Sequence, residues 1–442
     1  MAEDQMRDVS PTTTTQVAST AQRVGARLTD ELVLPCGQVL ANRLMKAALS
    51  EALGNSAHDP TERLVTLYRR WASGGFGLIV TGNVMVDRRQ LGEPGNVVVE
   101  DKRAFDALRR WADAARAAGT PTWMQINHPG RNANPLATGN RPVAPSAVRL
   151  KIPGMATPRA LSSQEIEEIL DRFVVTAGVA ESAGFDGVQI HGAHGYLLAQ
   201  FLSPLANQRD DEWGGDPQRR MRFAIEVTRR IRAAVSPGFA VGIKLNSADF
   251  QRGGFTAEQS REVMSALAHE GLDLIEISGG TYEAPAMMGK SRTASRTAST
   301  IEREAYFLEY AYAARGLVGT VPLAVTGGFR SHAAMAEAVS SGTCDIVGLG
   351  RPTCIAPEAA TQVLSSPQSR LRAVPVQIGM RAAVGRVADL KMLDGAVELQ
   401  WHTDQLHRMG DGKEPDLGRS WRRTLVTMVT RNGLGSLRRK RS

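Results

Sequence analysis

Residues 322–352 read PLAVTGGFRSHAAMAEAVSSGTCDIVGLGRP. Two short apolar runs, Pro322–Gly328 and Asp345–Pro352, flank a stretch of helical periodicity at 332–342. That order marks a parallel βα unit. The same alternation extends back through the chain. Arg43–Ser50 (RLMKAALS), Leu78–Gly82 (LIVTG), Thr122–Asn127 (TWMQIN), Gly187–Gly192 (GVQIHG), Ala240–Asn246 (AVGIKLN) and Leu272–Gly280 (LDLIEISGG) are six further candidate strands. Amphipathic stretches of helix length lie between them at 61–74, 101–118, 162–184, 216–236, 256–270 and 302–316. Ser162 with Glu165, and Thr256 with Gln259, have capping-box spacing. Eight such units predict an α/β fold, a closed TIM (β/α)8 barrel rather than an open doubly wound sheet. No GxGxxG follows the first strand, so a Rossmann reading lacks its fingerprint.

The rest of the chain is arranged around that barrel. Residues 1–27 are expected to be disordered, 28–355 to form the barrel, 356–418 to extend and pack on it, and 419–442 to be a basic tail. Leu32–Leu34 and Gln38–Leu40 flank Pro-Cys-Gly, a hairpin-like segment able to plug the barrel floor. Segments 129–161 and 281–300 are too long for simple turns and are expected to be lids on the catalytic face. The formal charge is +8, and eight basic residues with no acid lie between Arg419 and the end. The body therefore balances near zero, which argues against a nucleic-acid partner. Three scattered cysteines, Cys36, Cys344 and Cys354, offer neither a disulfide framework nor four ligands for an iron–sulfur cluster. No secretory signal and no apolar run of spanning length is visible, so a reduced cytoplasmic compartment is the expectation.

In such a barrel the chemistry sits where strands end. The last two ends, TGGFRS and GLGRP, supply Gly327, Gly328, Gly350 and the guanidinium of Arg351, a set suited to phosphate oxygens. Many barrels bind phosphorylated sugars at this place, so the pattern alone does not name the ligand. His191 and His194 stand in HGAHGYLLAQFLSP. Their spacing could serve zinc, although no third ligand is evident and the glutamate of HExxH is absent. They could be satisfied loop histidines, or two imidazoles that donate to an anionic or carbonyl oxygen. Tyr196 is either a core phenol or a proton donor beside them. Lys244, ending an apolar strand, must meet an anion or a polarised ligand if buried; snorkelling to solvent is the bland alternative. Gln125 could pair with a heterocyclic amide edge or cap a loop.

The motifs LPCGQVLANRLMKAALSE, MQINHPGR, HGAHGYLLAQFLSPLANQRDDEWGG, GIKLNSADF and GLGRP together resemble the old yellow enzyme family of NADH:flavin oxidoreductases. The resemblance covers about residues 28–355, with 191–215 its most specific part. It implies FMN at the barrel mouth. Ala47, Ala48 and Ser50 would lie along the ring, Gly82 would leave room for it, and Gln125 would pair with its pyrimidine edge. Lys244 would sit near N1 and O2, where a cation stabilises the reduced ring. Gly327, Gly328, Gly350 and Arg351 would hold the phosphate. His191 and His194 would grip a substrate carbonyl, and Tyr196 would be the proton donor. Lys244 stands where the family commonly has arginine, and Ser50 where it has threonine or cysteine. The cysteine count points to the cluster-free type.

The implied activity is FMN-dependent reduction of the activated C=C bond of an α,β-unsaturated carbonyl compound, with NADH or NADPH as electron donor. A flavin dehydrogenase or aromatising oxidase acting on a cyclic substrate is the second reading. A non-catalytic FMN-binding protein acting through its tail is the third. Trp421, Leu425, Met428 and Val429 could form an apolar face beside Arg422 and Arg423 that touches a membrane surface. A solvated tail, or an arm joining a homo-oligomer, is the competing expectation.

Overall fold

Parallel strands that each shed one helix outward have one way to satisfy every ladder, which is to close. The computed structural model describes residues 24–151, 155–278, 307–374, 376 and 390–430. Eight parallel strands form the ring: β1 Leu44–Lys46, β2 Leu78–Val80, β3 Thr122–Asn127, β4 Gly187–Gly192, β5 Ala240–Asn246, β6 Leu274–Ser278, β7 Leu323–Thr326 and β8 Ile346–Leu349. Leu44 of β1 pairs with Val347 of β8, and Ile79 of β2 with Thr122 of β3, which closes the circle. The expected strands 122–127, 187–192 and 240–246 coincide with β3, β4 and β5; the others are shorter at one or both ends.

Helices cover the ring: α1 Glu62–Ala72, α2 Phe105–Ala115, α3 Ser163–Ser182, α4 Pro217–Ala234, α5 Ala257–Leu267, α6 His332–Ser340 and α7 Ala359–Ser365. Both expected capping boxes are formed, Ser162 with Glu165 on α3 and Thr256 with Gln259 on α5. Leu64, Leu67, Tyr68 and Trp71 recur at helical spacing and bury one face of α1.

Alternation along each strand sorts the side chains. Met124 and Ile126 of β3, Val188 and Ile190 of β4, and Ile275 and Ile277 of β6 join the outer core beneath the helices. The intervening residues therefore face the barrel axis. At the floor, Leu34 and Leu40 cluster with Met45, Trp123 and Leu274. They belong to a hairpin in which Leu32–Val33 pairs with Val39–Leu40. Cys36 N–H donates to Asp273 Oδ1 at 2.7 Å and Gln38 donates to Gly238 O at 3.1 Å, which fastens the plug to residues just before β5 and β6.

The expected lid 129–161 carries a short helical turn at Gly130–Asn132 and a two-residue ladder joining Val143–Ala144 to Arg159–Ala160. The second expected lid, 281–300, lies outside the described residues, as do 1–23 and 431–442 of the expected termini. Beyond the barrel, α8 Leu390–Gly410 and α9 Trp421–Val429 follow. The residues just after α8 tie it to α1 through Arg63–Asp411 at 2.6 Å and Arg70–Glu414 at 2.8 Å. The stretch read as a basic tail thus begins as helix α9, and Trp421 packs beside Trp401; the side chains of Leu425, Met428 and Val429, the rest of the expected apolar face, lie outside the described residues. Burying indole against indole removes more apolar surface from water than leaving it exposed. No helix among the described residues is long and apolar enough to cross a membrane.

Candidate active site

Inward-facing polar residues at the strand ends line a cavity of about 440 Å³ at the C-terminal mouth of the barrel. That size suits a cofactor or a drug-sized ligand. Ala48, Ser50, Gln125, His191, His194, Tyr196, Lys244, Gly327, Gly328, Gly350 and Arg351 all contribute to its wall.

Register brings the polar groups of the ring into contact. Gln125 lies opposite Gln189, and Lys244 opposite both His191 and Glu276. Gln125 Nε2 donates to Gln189 Oε1 at 2.8 Å, and Gln189 Nε2 donates to Glu276 Oε2 at 2.8 Å. Lys244 Nζ lies 2.8 Å from Glu276 Oε1. The anion that a buried Lys244 requires is therefore Glu276, which is 0% exposed. Sequence reading missed Gln189 and Glu276. Both break an apolar strand in phase with the inward positions, a signal available in GVQIHG and LIEIS.

The histidines meet at one side. Their ring centroids are 5.1 Å apart, and the Tyr196 ring is 4.8 Å from that of His191. The N–H of Ala193 donates to His191 Nδ1 at 3.3 Å, which leaves the proton of a neutral ring on Nε2. His194 sits at φ +61°, its N–H donating to Asn246 Oδ1 at 3.0 Å and its Nε2 lying 2.9 Å from Ser278 Oγ. Burial pushes both imidazoles well below their ordinary pKa; the neighbouring His194 then lowers His191 further, and the Lys244 charge lowers both. They are neutral hydrogen-bonding groups near pH 7.

Two residues expected at a flavin ring, Ala47 and Gly82, are not among the residues that line the cavity. Ala47 is buried in the barrel core, its N–H donating to Leu349 O at 2.9 Å. Gly82 donates to Glu51 Oε1 at 2.9 Å, and a Cβ there would meet Glu51 Oε2 at 1.8 Å. The space at Gly82 is thus filled by a carboxylate of this chain. Ser50 reaches the cavity and donates to Glu93, another wall residue.

At the opposite end, Gly327 and Gly328 have φ of +149° and +81°, backbone that favours glycine and turns the loop after β7 toward the cavity. Thr326 Oγ1 is a buried atom of a wall residue with no hydrogen-bond partner among the described residues. Arg351 opens the turn Arg351–Cys354, and its Nη1 is 2.9 Å from Glu398 Oε1. Glu398, His402, Thr403 and Leu406 of α8 complete this end of the wall. These four were not foreseen, since periodicity weakens past residue 355. An amide edge, an apolar flank at Ala48 and Leu49, and a glycine- and arginine-rich end fit the ring and phosphate of FMN.

Residues 36–367 match the model of the NADH:flavin oxidoreductase / NADH oxidase family. An NADH-dependent flavin oxidoreductase of Neonectria sp. is 38% identical over 361 residues, covering 76% of this chain but 47% of that relative. A second protein of that name, from Hypocrea jecorina, is 36% identical over 346 residues, covering 74% of this chain and 86% of the relative. The solved old yellow enzyme homologue of Zymomonas mobilis superposes with a TM-score of 0.66 at 25% identity, covering 78% of this chain and 94% of that one.

Proposed function

The chain belongs to the NADH:flavin oxidoreductase / NADH oxidase family, whose members are FMN-dependent oxidoreductases, and on that premise we propose that it reduces the activated C=C bond of an α,β-unsaturated carbonyl compound. Membership in an enzyme family sets aside the reading of a non-catalytic flavin carrier. FMN, when bound, supplies the hydride that it has taken from the nicotinamide donor. Gln125 and Lys244 would hold its ring edge, Ala48 and Ser50 its flank, and Gly327, Gly328, Gly350 and Arg351 its phosphate.

The chain's own part is polarisation and proton delivery. His191, with its proton on Nε2, donates to the substrate oxygen. His194 turns its Nε2 from Ser278 to the same oxygen, so two neutral donors stabilise the charge that gathers there. Neutral imidazoles serve this role without offering a proton too early. Tyr196, beside His191, gives a proton to the carbon next to the carbonyl. The observation that carries the reading is the convergence of His191, His194 and Tyr196 on one wall, with both imidazoles held neutral.

Tyr196→Phe keeps the ring and removes the acid. Stopped-flow kinetics should show alkene reduction slowed by about a hundredfold, with flavin reduction by NADH near the wild-type rate. Equal wild-type rates in both half-reactions would remove Tyr196 from the chemistry.

A further inference from the structure

Helix α8 lies beyond residue 367, where the family match ends, yet it forms one wall of the cavity. Its Glu398 places Oε1 2.9 Å from Nη1 of Arg351, with the two side chains 12% and 28% exposed. A carboxylate therefore already occupies the guanidinium that stands beside Gly350. The helix is brought there by contacts that do not involve this pair. Arg63 Nη2 donates to His407 O at 3.1 Å, His407 Nε2 meets Glu51 O at 2.8 Å, and Trp401 Nε1 donates to Arg419 O at 2.9 Å. One turn after Glu398, His402 Nδ1 lies 2.7 Å from Glu398 O, so the backbone at that point is held by the ordinary helix and one imidazole.

A phosphate and a carboxylate seek the same fork of a guanidinium, and two anions side by side in a half-desolvated cleft repel. We propose that Glu398 is a resident anion at the phosphate end of the cavity, so that a phosphate-bearing flavin must displace it from Arg351 to bind. The inference rests on the cavity being the flavin site. It makes α8 the element that sets how strongly the phosphate, rather than the ring, contributes to cofactor affinity. Glu398 stands on the cavity side of α8.

Comparison of FMN with riboflavin, which lacks the phosphate, isolates this end of the site. The full-length chain, freed of flavin, is titrated with each by fluorescence quenching, as wild type and as Glu398→Gln, which keeps the side chain's shape. FMN should bind about tenfold tighter to the variant, because the competing charge is gone, while riboflavin binds as before. Glu398→Ala should rank the same way, which covers the case where the amide of Gln re-forms the contact. Unchanged or weaker FMN binding in both variants overturns the proposal, and so does an equal gain for riboflavin. Wild-type binding of both flavins with such an outcome sinks Glu398 alone. Failure of the wild type to bind either flavin removes the flavin reading and this proposal with it.

Discussion

Lys244 and Glu276 show how one residue's charge becomes another's problem. Each is buried within an apolar strand, and neither would be tolerated there alone. Their 2.8 Å ion pair presents the cavity with a nearly neutral unit rather than a free cation. The chain Gln125–Gln189–Glu276 passes the orientation of the carboxylate on to the amide at the cavity wall. Glu276→Gln leaves the Lys244 ammonium without its counter-charge while an amide can still meet Gln189. The midpoint potential of the bound flavin should then rise by roughly 30 to 60 mV, about 1.4 to 3 kcal/mol for two electrons. Spectroelectrochemistry checks this, and an unmoved or lower potential shows that the pair does not address the ring.

Between elements, the close approach of β7 and β8 decides the shape of the arginine end. A Cβ on Gly348 would stand 1.8 Å from Thr326 Oγ1 and 3.1 Å from Met45 Cε. Thr326 pairs directly with Gly348 in the ladder, so the threonine can yield only by rotating its side chain out of place. Gly348→Ala should cost about 1–3 kcal/mol by overpacking and lower the melting temperature of the flavin-free chain. A variant as stable as wild type would show that the strand ends can part. The expectation at this scale was that 356–418 would pack on the barrel, with no face of it named. Helix α8 could not be placed on the cavity from its own pattern, because what positions it is Arg63 and Arg70 of α1, more than 300 residues earlier by number.

Across the whole molecule, four histidines withdrawn wholly or partly from solvent share one consequence. Burial lowers His128 and His402 to about 4, and His191 and His194 well below their ordinary value. The unfolded chain takes up those protons near pH 6.5 while the folded chain refuses them. Stability is therefore whole above that pH and declines as pH falls, by about 1 kcal/mol per histidine for each pH unit. Glu51 and Asp249, raised by burial, act in the opposite sense as carboxyls begin to take protons. Melting curves from pH 7.5 down to 5 should shift steadily lower, and His128→Gln should make the descent shallower. A melting temperature flat across that range, in wild type and variant alike, would contradict the four neutral imidazoles.

The eight strands, their helices and the polar residues at their ends were legible in order along the chain, because period-2 and period-3.6 patterns are local. The motifs around His191, Gln125 and Lys244 carried the family resemblance for the same reason. What local pattern cannot carry is who stands opposite whom. Glu276 against Lys244, Glu398 against Arg351, and Glu51 in the space beside Gly82 are partners set by strand register, barrel closure and the docking of a distant helix. Those are decided only when segments far apart in sequence compete to bury apolar surface without stranding a charge, and that competition has one outcome in three dimensions and none in one.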